Sequence, residues 1–72
     1  MNIKVNGKTI EIFSGARVAD VLRRYSRLTW KQAQNGHKAV FDRHGHEVAL
    51  DGELNGGEEL VVHRVQPAEP RP

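Results

Sequence analysis

The chain has 72 residues, no cysteine, and 11 Lys+Arg against 9 Asp+Glu, a formal charge of +2. One domain with a small core is the most such a length holds, so a carrier, adaptor or binding module is a better expectation than a deep active site. The missing cysteine excludes disulfides, thiolate zinc sites and a thiol nucleophile, and the weak positive charge argues against nucleic acid as the partner.

Ile3 and Val5 alternate with Asn2, Lys4 and Asn6, and Ile10 and Ile12 alternate with Thr9 and Glu11. Asn6-Gly7 lies between them, and both central positions of a type I′ turn need positive φ. The pattern predicts a hairpin over Asn2 to Phe13 with one buried face. The opening residues are strand-like, with no signal-peptide apolar region and no run long enough to span a bilayer. A cytoplasmic location without membrane contact is expected.

Val18, Val21, Leu22 and Tyr25 fall at helical spacing, which predicts a helix from Ala16 to about Ser26 lying on the hairpin's apolar face. Asp20 is placed to pair with Arg24 at i,i+4. Arg17, Arg23, Arg24, Arg27 and Lys31 form a basic stripe whose plain reading is a solvated helix face. Thr29-Trp30-Lys31-Gln32 has the form of a capping box, so a short helical connector is expected to start there and to end at Asn35-Gly36. Leu28 and Trp30 would anchor it.

Ala39 to Phe41 reads as a strand, Asp42-Arg43-His44-Gly45 as a tight turn, and Val48 to Leu50 as a second short strand. His44-Gly45-His46 offers two imidazoles, but the glycine sets them in a turn and no third ligand is fixed nearby. Gly56-Gly57 reads as a turn. Leu60, Val61, Val62 and Val65 make a final strand that is apolar on both parities, which predicts a central strand covered on both sides. The segment 66–72, Gln-Pro-Ala-Glu-Pro-Arg-Pro, has three prolines and is expected to be a disordered tail after a domain over residues 1–65. The expected core is Ile3, Val5, Ile10, Ile12, Val18, Val21, Leu22, Phe41, Leu50, Leu54, Leu60 and Val62.

Hairpin, helix, connector, two short strands and a long central strand follow one another in the order of the ubiquitin-like β-grasp pattern. That is an α+β fold with a mixed sheet of four to five strands and one main helix across it. The wording also resembles the ThiS/MoaD-like sulfur carriers. Ile3-Lys4-Val5-Asn6-Gly7-Lys8 is similar to their opening strand and turn, and Val18-Ala19-Asp20-Val21-Leu22 to a recurrent stretch of their helix. Leu54-Asn55-Gly56-Gly57-Glu58-Glu59-Leu60-Val61-Val62 is similar to their approach to the last strand, with Glu58 where an aspartate is usual.

The resemblance covers residues 1–65. It implies a carrier whose C-terminal glycine is adenylated by a partner enzyme and converted to a thiocarboxylate. This chain departs from it, because no glycine follows Gly57. Cutting after Gly57 would remove the central strand, so no catalytic residue is carried over. The leading expectation is a non-catalytic ThiS/MoaD-like protein, monomeric when free, that binds a larger protein such as an adenylating or sulfur-transfer enzyme. A genuine sulfur carrier with an atypical terminus and an RNA-associated module of the TGS type stay open. Trp30, Val61, His63, Val65, Arg23 and Arg24 are the candidate partner-binding residues, and no cofactor or metal site is expected.

Overall fold

A computed structural model describes residues 1–65; the expected tail at 66–72 lies outside the described residues. Strands β1 (Asn2–Val5) and β2 (Lys8–Glu11) form the hairpin, paired antiparallel with Ile3 opposite Ile10. Asn6 and Gly7 take φ values of 50° and 83°, the conformation a type I′ turn requires. Asn6 also acts at long range. Its N–H donates to the Leu60 carbonyl at 2.9 Å, and its side-chain Oδ1 accepts from the Val62 N–H at 2.8 Å.

Helix α1 runs over Val18–Tyr25, two residues later than the spacing suggested; Ala16 is buried in the core instead. The Asp20 carboxylate closes the first turn by accepting from the Arg17 N–H at 3.0 Å. Arginine has no acceptor to complete a reciprocal capping box. Asp20 pairs with Arg23 at 2.7 Å rather than with the expected Arg24.

Ser26 ends one helix and starts the next. Its N–H donates to the Leu22 carbonyl at 2.8 Å, and its Oγ accepts from the Thr29 N–H at 3.2 Å. Helix α2 therefore spans Arg27–Gln34, a second helix as long as α1 rather than a short connector. The Thr29 capping box is not formed. Ser26, held extended at φ −166°, is the N-cap, and Thr29 is buried in the first turn. Leu28 anchors nothing, being 66% exposed, while Trp30 packs against the core.

Strands β3 (Lys38–Asp42) and β4 (Glu59–Arg64) complete a four-stranded sheet of order β2-β1-β4-β3. β4 is central, parallel to β1 and antiparallel to β3. No strand forms at Val48 to Leu50. Only an isolated bridge joins Glu47 to Phe41, and the chain then swings beneath α1. There the carbonyls of Leu50 and Gly52 accept from the N–H groups of Ala19 and Val18 at 2.8 and 3.0 Å. Capping the helix takes the backbone groups that a further strand would have used.

Both helices pack on one face of the sheet. Ile3, Val5, Ile10, Val18, Val21, Leu22, Val40, Leu54 and Leu60 are buried there, with Ile12, Leu50 and Val62 partly buried against them. Two expectations fail together. Val40, not Phe41, enters the core, and the described residues cover β4 on one side only, with Val61 half-buried and His63 exposed. Successive strand residues point to opposite faces, and there is one helical layer to cover them.

Leu22→Ala, which empties a fully buried site, should destabilise the domain by about 2–5 kcal/mol. Leu28→Ala should change stability by less than about 0.5 kcal/mol. Urea midpoints of the two variants check both. The backbone hydrogen bond from Arg17, aided by the Arg23 side chain, lowers the Asp20 pKa below its usual value. A carboxyl depressed by folding stabilises the native state above its unfolded pKa, and the stabilisation fades as the pH falls through the folded pKa. Asp20→Asn should therefore cost about 0.3–1 kcal/mol at neutral pH. The gap to the wild type should narrow below the ordinary aspartate value of about 3.9, as read from urea melts across that range.

Candidate partner-binding site

The uncovered face of the sheet presents an apolar and aromatic patch. Phe41 and Val61 are direct cross-strand partners, as are Ala39 and His63. All four have the parity opposite to Val40 and Val62, which face the core. The Phe41 and His63 rings lie 5.7 Å apart at a tilt of 56°, within the range of favourable edge-to-face contacts. Lys4, Thr9 and Glu59 continue the same face over β1, β2 and the start of β4.

Phe41, Val61 and His63, with Asp42, Arg43 and Gly45, line a shallow cavity of about 380 Å³. Its rim is fixed by Asp42, whose Oδ1 accepts from the N–H groups of His44 at 2.8 Å and His46 at 3.0 Å. The bond from His46 is the main cause that holds the Asp42 carboxyl below its usual pKa. An apolar floor with an anchored polar rim is an arrangement that protein-docking surfaces share.

The sequence-derived site residues do not form one patch. Val61 and His63 stand on the open face. Val65, 41% exposed, follows at the end of β4 with its N–H on the His37 carbonyl at 2.9 Å. Trp30 and Arg23 belong to the helical layer on the other side of the sheet, where the guanidinium lies 5.3 Å from the indole centroid. Arg24 borders a groove with Glu11, Ile12 and Phe13.

Phe41 is the functional candidate that sequence reasoning misplaced. Three consecutive apolar residues, Ala39, Val40 and Phe41, leave the strand parity undetermined. The signal that resolves it is the antiparallel register with β4, which sets Val40 against Val62 on the core side.

The basic stripe is partly consumed internally. Arg17 Nη1 donates to the Asp51 carbonyl at 2.6 Å, and its Nη2 is 3.6 Å from Glu53, while Arg23 is shared between Asp20 and Trp30. His44 and His46 have ring centroids 6.4 Å apart, and His46 Nδ1 lies 3.7 Å from Asp42. No group of three or more metal-ligating side chains gathers among the described residues, and no described helix is long and apolar enough to cross a membrane. Gly56-Gly57 forms a turn, with Gly57 at φ +87° and its N–H bonded to the Asn2 carbonyl at 2.9 Å. Glycine adopts that backbone without strain, so a structural need explains Gly57.

No family model matches the chain, and neither does any curated protein. Among solved structures it is similar to SAMP1 from Haloferax volcanii, with a TM-score of 0.65 and 16% sequence identity over 94% of this chain and 97% of that one. At that identity the likeness speaks for the fold alone. Together with the mixed four-stranded sheet and the helical layer packed on one of its faces, it shows that this chain has the ubiquitin-like β-grasp fold.

Proposed function

We infer that this β-grasp protein works by docking a larger protein on the open face of its sheet, and that it carries no catalytic site of its own. One observation carries the reading: Phe41, Val61 and His63 are gathered on a face that no other part of the described chain covers. A purely solvated sheet face would alternate to polar residues at these positions. Aromatic residues seated in shallow apolar pockets are the usual anchors of protein recognition. The ThiS/MoaD-like wording of residues 3–8, 18–22 and 54–62 supports an adenylating or sulfur-transfer enzyme as the partner.

Sulfur carriage in thiamine or molybdopterin synthesis is the second reading, favoured by the same wording. It requires the same docking step followed by activation of a terminus. The internal Gly56-Gly57 pair does not supply that terminus, because it is fixed in the turn that leads into the central strand.

The test is affinity isolation of the full chain from its native host, with intact-mass analysis of the recovered protein. A larger protein should accompany the wild type in stoichiometric amount. Phe41→Asp combined with Val61→Asp should weaken that complex by about 2 kcal/mol or more while the far-ultraviolet circular dichroism is retained. An undiminished complex would refute the open-face assignment. Exchange of oxygen for sulfur in the mass of the isolated chain would establish the carrier reading instead.

A further inference from the structure

Where β3 begins and β4 ends, two cations stand side by side. Lys38 and Arg64 are direct cross-strand partners, and they share the parity of Val40 and Val62, the helix side of the sheet. Like charges set opposite each other weaken an antiparallel ladder, and neither takes part in an ion pair among the described residues.

Together with Gln32, His37 and Val65 they line a cleft of about 310 Å³ between the end of α2 and the sheet. The side-chain oxygen of Gln32 is buried and has no hydrogen-bond partner among the described residues. Folded proteins rarely leave such a group unmet without a functional reason. The same carboxamide carries an NH₂ with two donors, and Gln32 lines the cleft.

The cations are not there to cap α2. The carbonyls of Lys31, Gln32 and Ala33 already accept from the N–H groups of Asn35, His37 and Gly36, and the His37 carbonyl accepts from Val65. That leaves a guanidinium, an ammonium and a carboxamide NH₂ beside one open space, all of them donors to a tetrahedral oxyanion. Arginine offers a planar fork to two oxygens, and lysine a point charge to a third.

We propose that this cleft binds a phosphate group, with Arg64 and Lys38 supplying the charge and Gln32 a neutral donor. The site stands on the helix side of the sheet and is independent of the open docking face. The group could be free phosphate or the end of a nucleotide, since both present the same oxygens.

The test is a titration of the full chain with inorganic phosphate and, separately, with ADP, followed by amide and side-chain NMR, with acetate as the control anion. Saturable shifts centred on Lys38, Arg64, Val65 and the Gln32 carboxamide are expected, and acetate should not reproduce them. Tighter binding of ADP would identify a nucleotide as the source, and equal binding free phosphate. Lys38→Ala and Arg64→Ala should each weaken binding roughly tenfold, and Lys8→Ala should leave it unchanged. Gln32→Met should raise thermal stability by removing the unmet oxygen yet still weaken phosphate binding, a combination that a merely structural glutamine would not produce. Linear, unsaturable shifts spread over all basic residues would overturn the proposal. So would an unchanged affinity in a Lys38→Ala, Arg64→Ala double variant that keeps the wild-type spectrum elsewhere.

Discussion

The parallel pairing of β1 with β4 governs the rest of this molecule. It sets Val5 beside Leu60, and both are fully buried in the core that they share with Val21 and Leu22 of α1. Parallel neighbours cannot be joined by a hairpin and need a crossover. The connection here holds both helices and β3, and the two helices land on the same face. Among the described residues nothing remains to cover the other face. A half-open sheet is therefore the direct result of how the central strands are joined.

That asymmetry divides the surface into parts with different chemistry. The open face is aromatic and aliphatic around Phe41, Val61 and His63. The helical side is cationic, but much of its charge is committed to holding the fold together. Arg17 ties the 51–53 loop to the start of α1, and Arg23 links α1 to Trp30 on α2. Counting arginines along the helix overstates what is available to a partner, because a guanidinium that fixes a loop or stacks on an indole is part of the architecture.

Much of the fold was legible in the residues. Alternation in β1 and β2, the Asn6-Gly7 turn, the stripe through Val18, Val21 and Leu22, and the strongly apolar β4 each carry a local signal that tertiary structure did not override. The misreadings share one cause, which is that local signals were ambiguous where a distant partner decides. Thr29 looked like a cap because the extended backbone at Ser26 cannot be read from sequence. Val48 to Leu50 looked like a strand because the bond of the Leu50 carbonyl to Ala19 at the start of α1 is a long-range matter. Phe41 looked like core because the parity of a three-residue apolar run is set by register against β4. For the same reason Val61 and His63 of the open-face patch were named from the sequence, and Phe41 beside them was not.

Asn6 joins the earliest and latest strands in one residue. Its backbone makes the hairpin turn, and its side chain and N–H hold β4. An isolated hairpin is marginal in water, and of the four strands the central one is the last to be synthesised. During translation the hairpin, both helices and β3 emerge with their apolar faces unpaired, and the core cannot close until β4 leaves the ribosome. A product cut short before β4 lacks the strand that joins β1 to β3, and with it Leu60 and Val62 of the core. The central position of the last strand makes the fold a check on its own completeness.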